Sequence, residues 1–281
     1  MERRPCTCFV LSKELIENNI ANMLFGDFNE PTLRLVFEEL AAVPSDVVET
    51  VGENAFAAVT EGGRVVTWGN ARYGGDSSRV AGELASGVVE VVATDGAFAA
   101  LTESGRVVTW GDEDYGGDIS GVVGEVASGV VEVVAARLAF AAVISGGRVV
   151  TWGHARYGGD NSRVAGEVAN GVVRVVATDY AFAAITKSGR VVTWGDARWG
   201  GDSSGVTGEV ASGVVEVVAT TSAFAAITKS GRVVTWGHTG LGGDSSRVAG
   251  KVASGVVRVV ATDWAFAALT EDGSVVEWGF I

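Results

Sequence analysis

Beyond residue 44 the apolar residues come in short runs rich in Val and Ala, and Gly, Ser and Asp separate the runs at regular distances. One unit reads Gly87-Val-Val-Glu-Val-Val-Ala-Thr, a break at Asp95-Gly96, then Ala97-Phe-Ala-Ala-Leu-Thr. A turn at Glu103-Ser104-Gly105 follows, and then Arg106-Val-Val-Thr-Trp-Gly. Runs of this length, rich in β-branched residues and bounded by turn formers, predict strands. The Glu103-Ser104-Gly105 connection predicts a hairpin with glycine where φ must be positive. Each unit therefore holds three antiparallel strands. The remaining stretch, 76–86 in the preceding unit, contains Gly82, and glycine disfavours a long helix there. It predicts a loop with a short fourth, outer strand near residues 79–84.

The unit recurs. Phe56, Phe98, Phe140, Phe182, Phe224 and Phe266 keep a constant step of 42 residues, each within Ala-Phe-Ala-Ala. Trp68, Trp110, Trp152, Trp194, Trp236 and Trp278 keep the same step, each closing Val-Val-x-Trp-Gly. Six copies without slippage predict one supersecondary unit stacked on itself. Four strands per unit, with small residues on the strand holding Ala55, Ala57 and Ala58, fit a β-propeller blade that narrows toward a common axis. The Phe fills the gap between blades. The Trp packs between sheets, where its indole N–H needs an acceptor. The fold expectation is an all-β propeller of about six four-stranded blades over residues 45–281. Residues 1–44 form an N-terminal extension, with an amphipathic helix over 12–24 capped by Ser12. A strand near 33–40 is expected to complete the last blade and close the ring.

Composition narrows the function. The formal charge of −13 argues against a nucleic-acid partner, because phosphate contacts need a basic surface. No apolar run is long enough for a membrane span, and no continuous apolar stretch follows Met1-Glu2-Arg3-Arg4-Pro5 as a secretory leader would require. An intracellular, cytoplasmic setting is the resulting expectation. The two cysteines, Cys6 and Cys8, lie outside the repeats, so no disulfide framework holds them.

The order of these motifs resembles the repeat of the regulator of chromosome condensation family. The resemblance is carried by residues 105–111, by Gly116-Gly117, by 129–135 and by 142–147, and it spans about residues 45–281. It implies a ring of four-stranded blades and a role in binding other proteins. The chain departs from the family in its shorter repeat, in Phe where the family commonly has His, and in the Gly-Gly-Asp-Ser-Ser turn. The exchange-factor activity of the founding member rests on loops without a match here.

Candidate chemistry is thin. Asp76, Asp118, Asp160, Asp202 and Asp244 follow Gly-Gly in each copy, and Asp there is expected to cap its loop rather than to bind calcium. His154 and His238 share one repeat position two units apart, too far for one zinc ion, so both read as variable surface residues. No Ser-His-Asp set, phosphate loop or paired cysteine motif is present. The chain reads as non-enzymatic, with no cofactor or metal. Framework positions are constant, so the positions that vary between copies are free of the fold's demands. They form two loop sets, one after Trp-Gly and one before Ala-Phe-Ala-Ala. Their aromatic and charged members are the candidate partner-binding residues: Arg72, Tyr73, Asp114, Tyr115, Arg156, Tyr157, Arg198 and Trp199 from the first set, Tyr180 and Trp264 from the second. A protein-interaction scaffold leads, with a light- or ligand-responsive sensor built on clustered Trp and Arg, or a structural subunit of a larger assembly, as the alternatives.

Overall fold

The structure is a computed structural model that describes residues 9–10, 48–52 and 54–281. The first unit contains β1 (Phe9–Val10), β2 (Val48–Val51), β3 (Ala55–Val59) and β4 (Val65–Gly69), hydrogen-bonded in that order. The second contains β5 (Val88–Ala93), β6 (Ala97–Thr102) and β7 (Val107–Gly111), and four more units repeat this three-stranded meander. All pairings are antiparallel, and Phe98 faces Trp110 across β6 and β7 as Phe182 faces Trp194 two units on.

The fourth strand expected near 79–84 does not form. Residues Ser78–Val80 make a 3-10 turn that continues into further turns, and Glu83 and Leu84 donate backbone bonds back to the Val80 carbonyl. Local i to i−3 bonding wins because Gly82 and the Asp76 cap favour tight turns over an extended edge. Sheets two to six thus have three strands, and only the first gains a fourth, from β1. The expected helix over 12–24, the strand near 33–40 and Cys6 and Cys8 lie outside the described residues. No helix among the described residues is long and apolar enough to cross a membrane.

The core is a series of equivalent junctions between consecutive sheets. At one, Ala97, Ala99, Leu101 and Val107 of the second unit meet Val130, Val133, Phe140, Ala142, Val150 and Trp152 of the third. Alternation along each strand sends one set of side chains forward and the other back, so every interior sheet is apolar on both faces. The alanines let neighbouring sheets approach, and the Phe rings, 0% exposed at Phe98, Phe140, Phe182 and Phe224, fill the space between them. Each Phe stacks on the Trp of its own unit, with ring centroids 5.3–5.4 Å apart at Phe98, Phe140 and Phe182.

The indole N–H finds its acceptor in the preceding unit. Trp110 Nε1 donates to the Gly74 carbonyl at 2.9 Å and Trp194 Nε1 to the Gly158 carbonyl at 3.0 Å. Gly158 sits at φ 94°, and a Cβ there would lie 2.5 Å from the Phe182 ring, so both backbone and packing require glycine. Backbone bonds reinforce the same junctions: Asp95 N–H donates to the Arg137 carbonyl, Arg137 to Asp179, Asp179 to Thr221 and Thr221 to Asp263.

Candidate functional site

Both variable loop sets lie at the same end of the sheets, because the strand that follows one and the strand that precedes the other are hydrogen-bonded neighbours. In each unit a backbone bond clips them together: Asp112 N–H donates to the Gly96 carbonyl, His154 to Leu138, Asp196 to Tyr180 and His238 to Ser222. The buried hydroxyl of Thr94 adds a bond to the Tyr115 carbonyl, and that of Thr178 a bond to the Trp199 carbonyl.

The first set folds as a 3-10 turn with a side-chain cap. Asn70 Oδ1 accepts from Arg72 N–H, Asp112 Oδ1 from Asp114, Asp196 Oδ1 from Arg198, and His154 Nδ1 from Arg156 at 3.3 Å. The three residue types at these four positions share an acceptor two bonds from Cβ, which is what a turn cap requires. His154 is therefore a capping residue. His238 is not, since its turn lacks such a bond, and its buried Nδ1 has no hydrogen-bond partner.

Rings of the two sets interleave into a stack in the third to fifth units. Tyr180 lies between Tyr157 and Trp199, stacked at 5.0 Å on the first and 5.1 Å on the second, with interplanar angles of 27° and 24°. His154 meets Tyr157 edge-on at 5.0 Å, and His238 stacks on Trp199 at 4.8 Å and 11°. Two units earlier, Gly96 occupies the place that Tyr180 fills, and Tyr73 and Tyr115 close over it edge to face at 5.8 Å. The rings thus form a Tyr73–Tyr115 pair and a separate stack running Tyr157, Tyr180, Trp199, all partly exposed, with Leu138 rather than a ring at the loop position between Tyr115 and Tyr157. Centroid separations in this range are favourable beyond burial alone.

Charged pairs flank the rings. Arg72 Nε reaches Asp112 Oδ2 of the next unit at 2.6 Å, and Arg156 Nε reaches Asp196 Oδ2 at 2.7 Å. Arg198 turns back to Asp196 instead, at 3.4 Å, because His238 stands where the next carboxylate would be. Burial raises the Asp196 carboxyl, but the bonds from Arg156 and Arg198 outweigh it and hold it below the ordinary carboxylate range. Arg137 pairs with Asp95 one unit away and also lies against Tyr180.

Of the ten candidates, the structure brings Tyr157, Tyr180 and Trp199 into the stack and Tyr73 and Tyr115 into a separate pair, with Arg156 and Arg198 beside the first and Arg72 beside the second. Asp114 is exposed at the same turn. Trp264 stands apart, 52% exposed and edge-on to Phe280 at 6.1 Å. His238 is a member that sequence reasoning placed among ordinary surface residues. Its signal was the small Ser222 in the neighbouring loop, which leaves room for a ring on Trp199. The clustered Trp surface that a sensor would need is not built by the framework tryptophans, which stand one per unit on their own Phe. The five Asp after Gly-Gly cap their loops, accepting from the backbone N–H two residues on, as Asp76 does from Ser78 at 2.9 Å. Among the described residues, no three His, Cys, Asp or Glu side chains stand close enough to share a metal ion.

Solved structures of similar shape are β-propellers. Yeast RCC1 (Prp20), in its complex with Kap60, is 17% identical with a TM-score of 0.51, covering 84% of this chain and 70% of that one. Prp20p of Saccharomyces cerevisiae alone gives 16% and 0.50, covering 84% and 72%. Human WBSCR16 gives 16% and 0.50, covering 81% and 74%. No family model matches the chain, and no curated protein matches it. The fold is that of the RCC1-like propeller repeats.

Proposed function

We propose that this protein is a non-enzymatic interaction scaffold that binds a protein partner through the loop face carrying the aromatic stack. The observation that supports the reading is the interleaved stack of Tyr157, Tyr180 and Trp199 with its flanking Arg–Asp pairs. Half-exposed Tyr and Trp beside Arg offer a rigid contact surface at low entropic cost, the composition of binding hot spots. Tyr157 also packs against the edge of a sheet junction, whereas Tyr180 and Trp199 are not among the residues of the junction clusters. One of the similar propellers points the same way in two structures: yeast RCC1 (Prp20) is seen bound to Kap60, and Prp20p is described with binding to Gsp1p and histones. A rigid repeat scaffold with variable loops would suit such work, because a change of partner needs only loop changes.

The test is a native purification with gentle crosslinking, run in parallel on the wild-type chain, a Tyr157→Ala/Tyr180→Ala/Trp199→Ala variant, and a Lys187→Glu/Lys229→Glu variant at the opposite loop ends. The expected result is a stoichiometric protein whose crosslinks map to residues 154–157 and 196–199, lost with the aromatic variant and kept with the lysine variant. A companion that survives loss of all three rings, or no companion at all, would overturn the reading.

A further inference from the structure

The charged pairs beside the rings follow one pattern, and one place breaks it. Asp112 and Asp196 each serve two donors: Oδ1 accepts a backbone N–H two residues on, and Oδ2 accepts from an arginine of the preceding unit. Arg72 and Arg156 reach these carboxylates at 2.6 and 2.7 Å, and both carboxylates are 8% exposed. The same two positions hold Asp114 and His154 at the junction between, again an acid with a group able to carry positive charge. Arg198 and His238 break the pattern: the arginine is present and the acid is not.

Three observations agree at this place. His238 makes no cap bond, so the Gly240 N–H lacks the acceptor that the equivalent N–H has in the four preceding turns. The His238 ring lies flat on Trp199, and its buried Nδ1 has no hydrogen-bond partner. Arg198, with a side chain 68% exposed, reaches only back to Asp196, at 3.4 and 3.5 Å, a carboxylate already held by Arg156 at 2.7 Å. The two donors that one aspartate satisfies in the second and fourth units are thus both present in the fifth turn, both open to solvent, without that aspartate. Two arginines also share a single carboxylate here. The chain carries −13 overall, but salt screens charges beyond about 8 Å, so the local excess of positive charge governs what this turn attracts.

We propose that this place takes a carboxylate from the partner, an Asp or Glu side chain that binds Arg198 and the Gly240 N–H as Asp196 binds Arg156 and the Arg198 backbone N–H. The Arg–carboxylate contact is charge-assisted and directional, and the adjoining Trp199 and Tyr180 rings give the segment that carries the acid an apolar surface to lie on. This rests on the partner-binding reading and adds to it the chemistry of the partner: an acidic segment.

The test uses the purified full chain and two capped peptides, acetyl-Gly-Glu-Gly-amide and acetyl-Gly-Gln-Gly-amide, followed by nitrogen-resolved NMR. The Arg198 Nε–H and Gly240 N–H signals are expected to move saturably with the Glu peptide and not with the Gln peptide. The Arg72 Nε–H, already held by Asp112, is expected to stay in place. His238→Asp supplies the missing acid from within the chain, so it is expected to shift the Arg198 Nε–H without peptide and to weaken the Glu peptide about tenfold or more, the range for a charge-assisted bond. Arg198→Gln is expected to lose the response, with an otherwise unchanged amide spectrum showing that the chain is folded. Equal responses to the two peptides, equal movement at Arg72, no saturation, or a His238→Asp chain that binds as the wild type does would each overturn the proposal. A companion protein crosslinked to the loops of a chain indifferent to the Glu peptide would sink this proposal alone. Glu-specific binding by a chain without a companion would leave the acid site standing and put the partner reading at fault.

Discussion

Two aromatic systems run through this molecule at the same 42-residue step, and they behave in opposite ways. The interior one is invariant: each copy has Phe and Trp, stacked at 5.3–5.4 Å, and in the interior sheets the Phe rings are sealed and every indole N–H is bonded to a carbonyl of the preceding unit. The surface one changes from copy to copy. Its first set reads Tyr73, Tyr115, Tyr157, Trp199, Leu241, and its second Gly96, Leu138, Tyr180, Ser222, Trp264. Constancy tracks the packing demand, because an interior ring meets atoms on every side and any change leaves a void or a clash. A half-exposed ring meets water on one side, which accepts a change of shape at little cost. Variation in a repeat protein therefore maps where the fold has stopped constraining the residue.

The sharpest way to break this contrast is to truncate one ring of each kind in the same unit. Phe182→Ala is expected to cost about 3–5 kcal/mol in urea unfolding, the range for a large buried ring. Tyr180→Ala, only two residues away, is expected to cost about 1 kcal/mol or less, as for a surface substitution. Equal losses would mean that the surface stack is part of the core.

A smaller effect is expected from Gly96→Tyr, which places in the second unit the ring that Tyr180 supplies in the fourth. Its Cβ would come within 2.7 Å of Tyr73 Cδ1 and 2.9 Å of Tyr115 Cγ, so both rings, which pack against the core at their inner edge, must shift. Stability should fall by about 1–3 kcal/mol, the range for overpacking, and the near-ultraviolet circular dichroism should change as Tyr73 and Tyr115 part around the new ring. A collapse of the unfolding transition would show that the loop has less freedom than its variability suggests.

The smallest expected effect separates the sheets from the loops by pH. Burial pushes the Glu90 carboxyl on β5 up, so its ionised form is disfavoured in the folded chain. Its stabilising contribution is complete below the unfolded carboxylate pKa and is lost as pH rises through the folded one. Glu90→Gln should therefore gain stability over the wild type at neutral pH and lose that advantage in acid. Asp196 has the opposite sign: its lowered pKa gives stability above the unfolded value that disappears as pH falls through the folded one. Asp196→Asn should match the wild type in acid and fall below it at neutral pH. Denaturant midpoints of both variants at several pH values check the two directions.

Much of the fold was legible in one repeat. Val-rich runs, the Gly105 hairpin and the constant Phe and Trp led directly to three antiparallel strands per unit, to an aromatic filler between sheets and to the need for an indole acceptor. The fourth strand misled because 79–84 has the apolar content of a strand, while its geometry is set by the Asp76 cap and by hydrogen bonds that close within the turn. The two loop sets were legible as variable, and their aromatic members could be named. That Tyr180 slots between Tyr157 and Trp199 could not be read, since the three belong to different loops of successive units. The role of His154 as a cap was also hidden, because the same position holds Asn or Asp in other copies and only the backbone shows what they have in common.

The chain by itself determined its repeat, its strands, the chemistry of its junctions and the residues released from them, because each depends on local propensity and on a hydrophobic period that recurs in every copy. Tertiary structure alone decided which loops meet, which rings stack and which arginine finds which aspartate. Those outcomes depend on distances between residues about 20 or 40 positions apart, brought together only when one sheet docks on the next, and no period along the sequence encodes them.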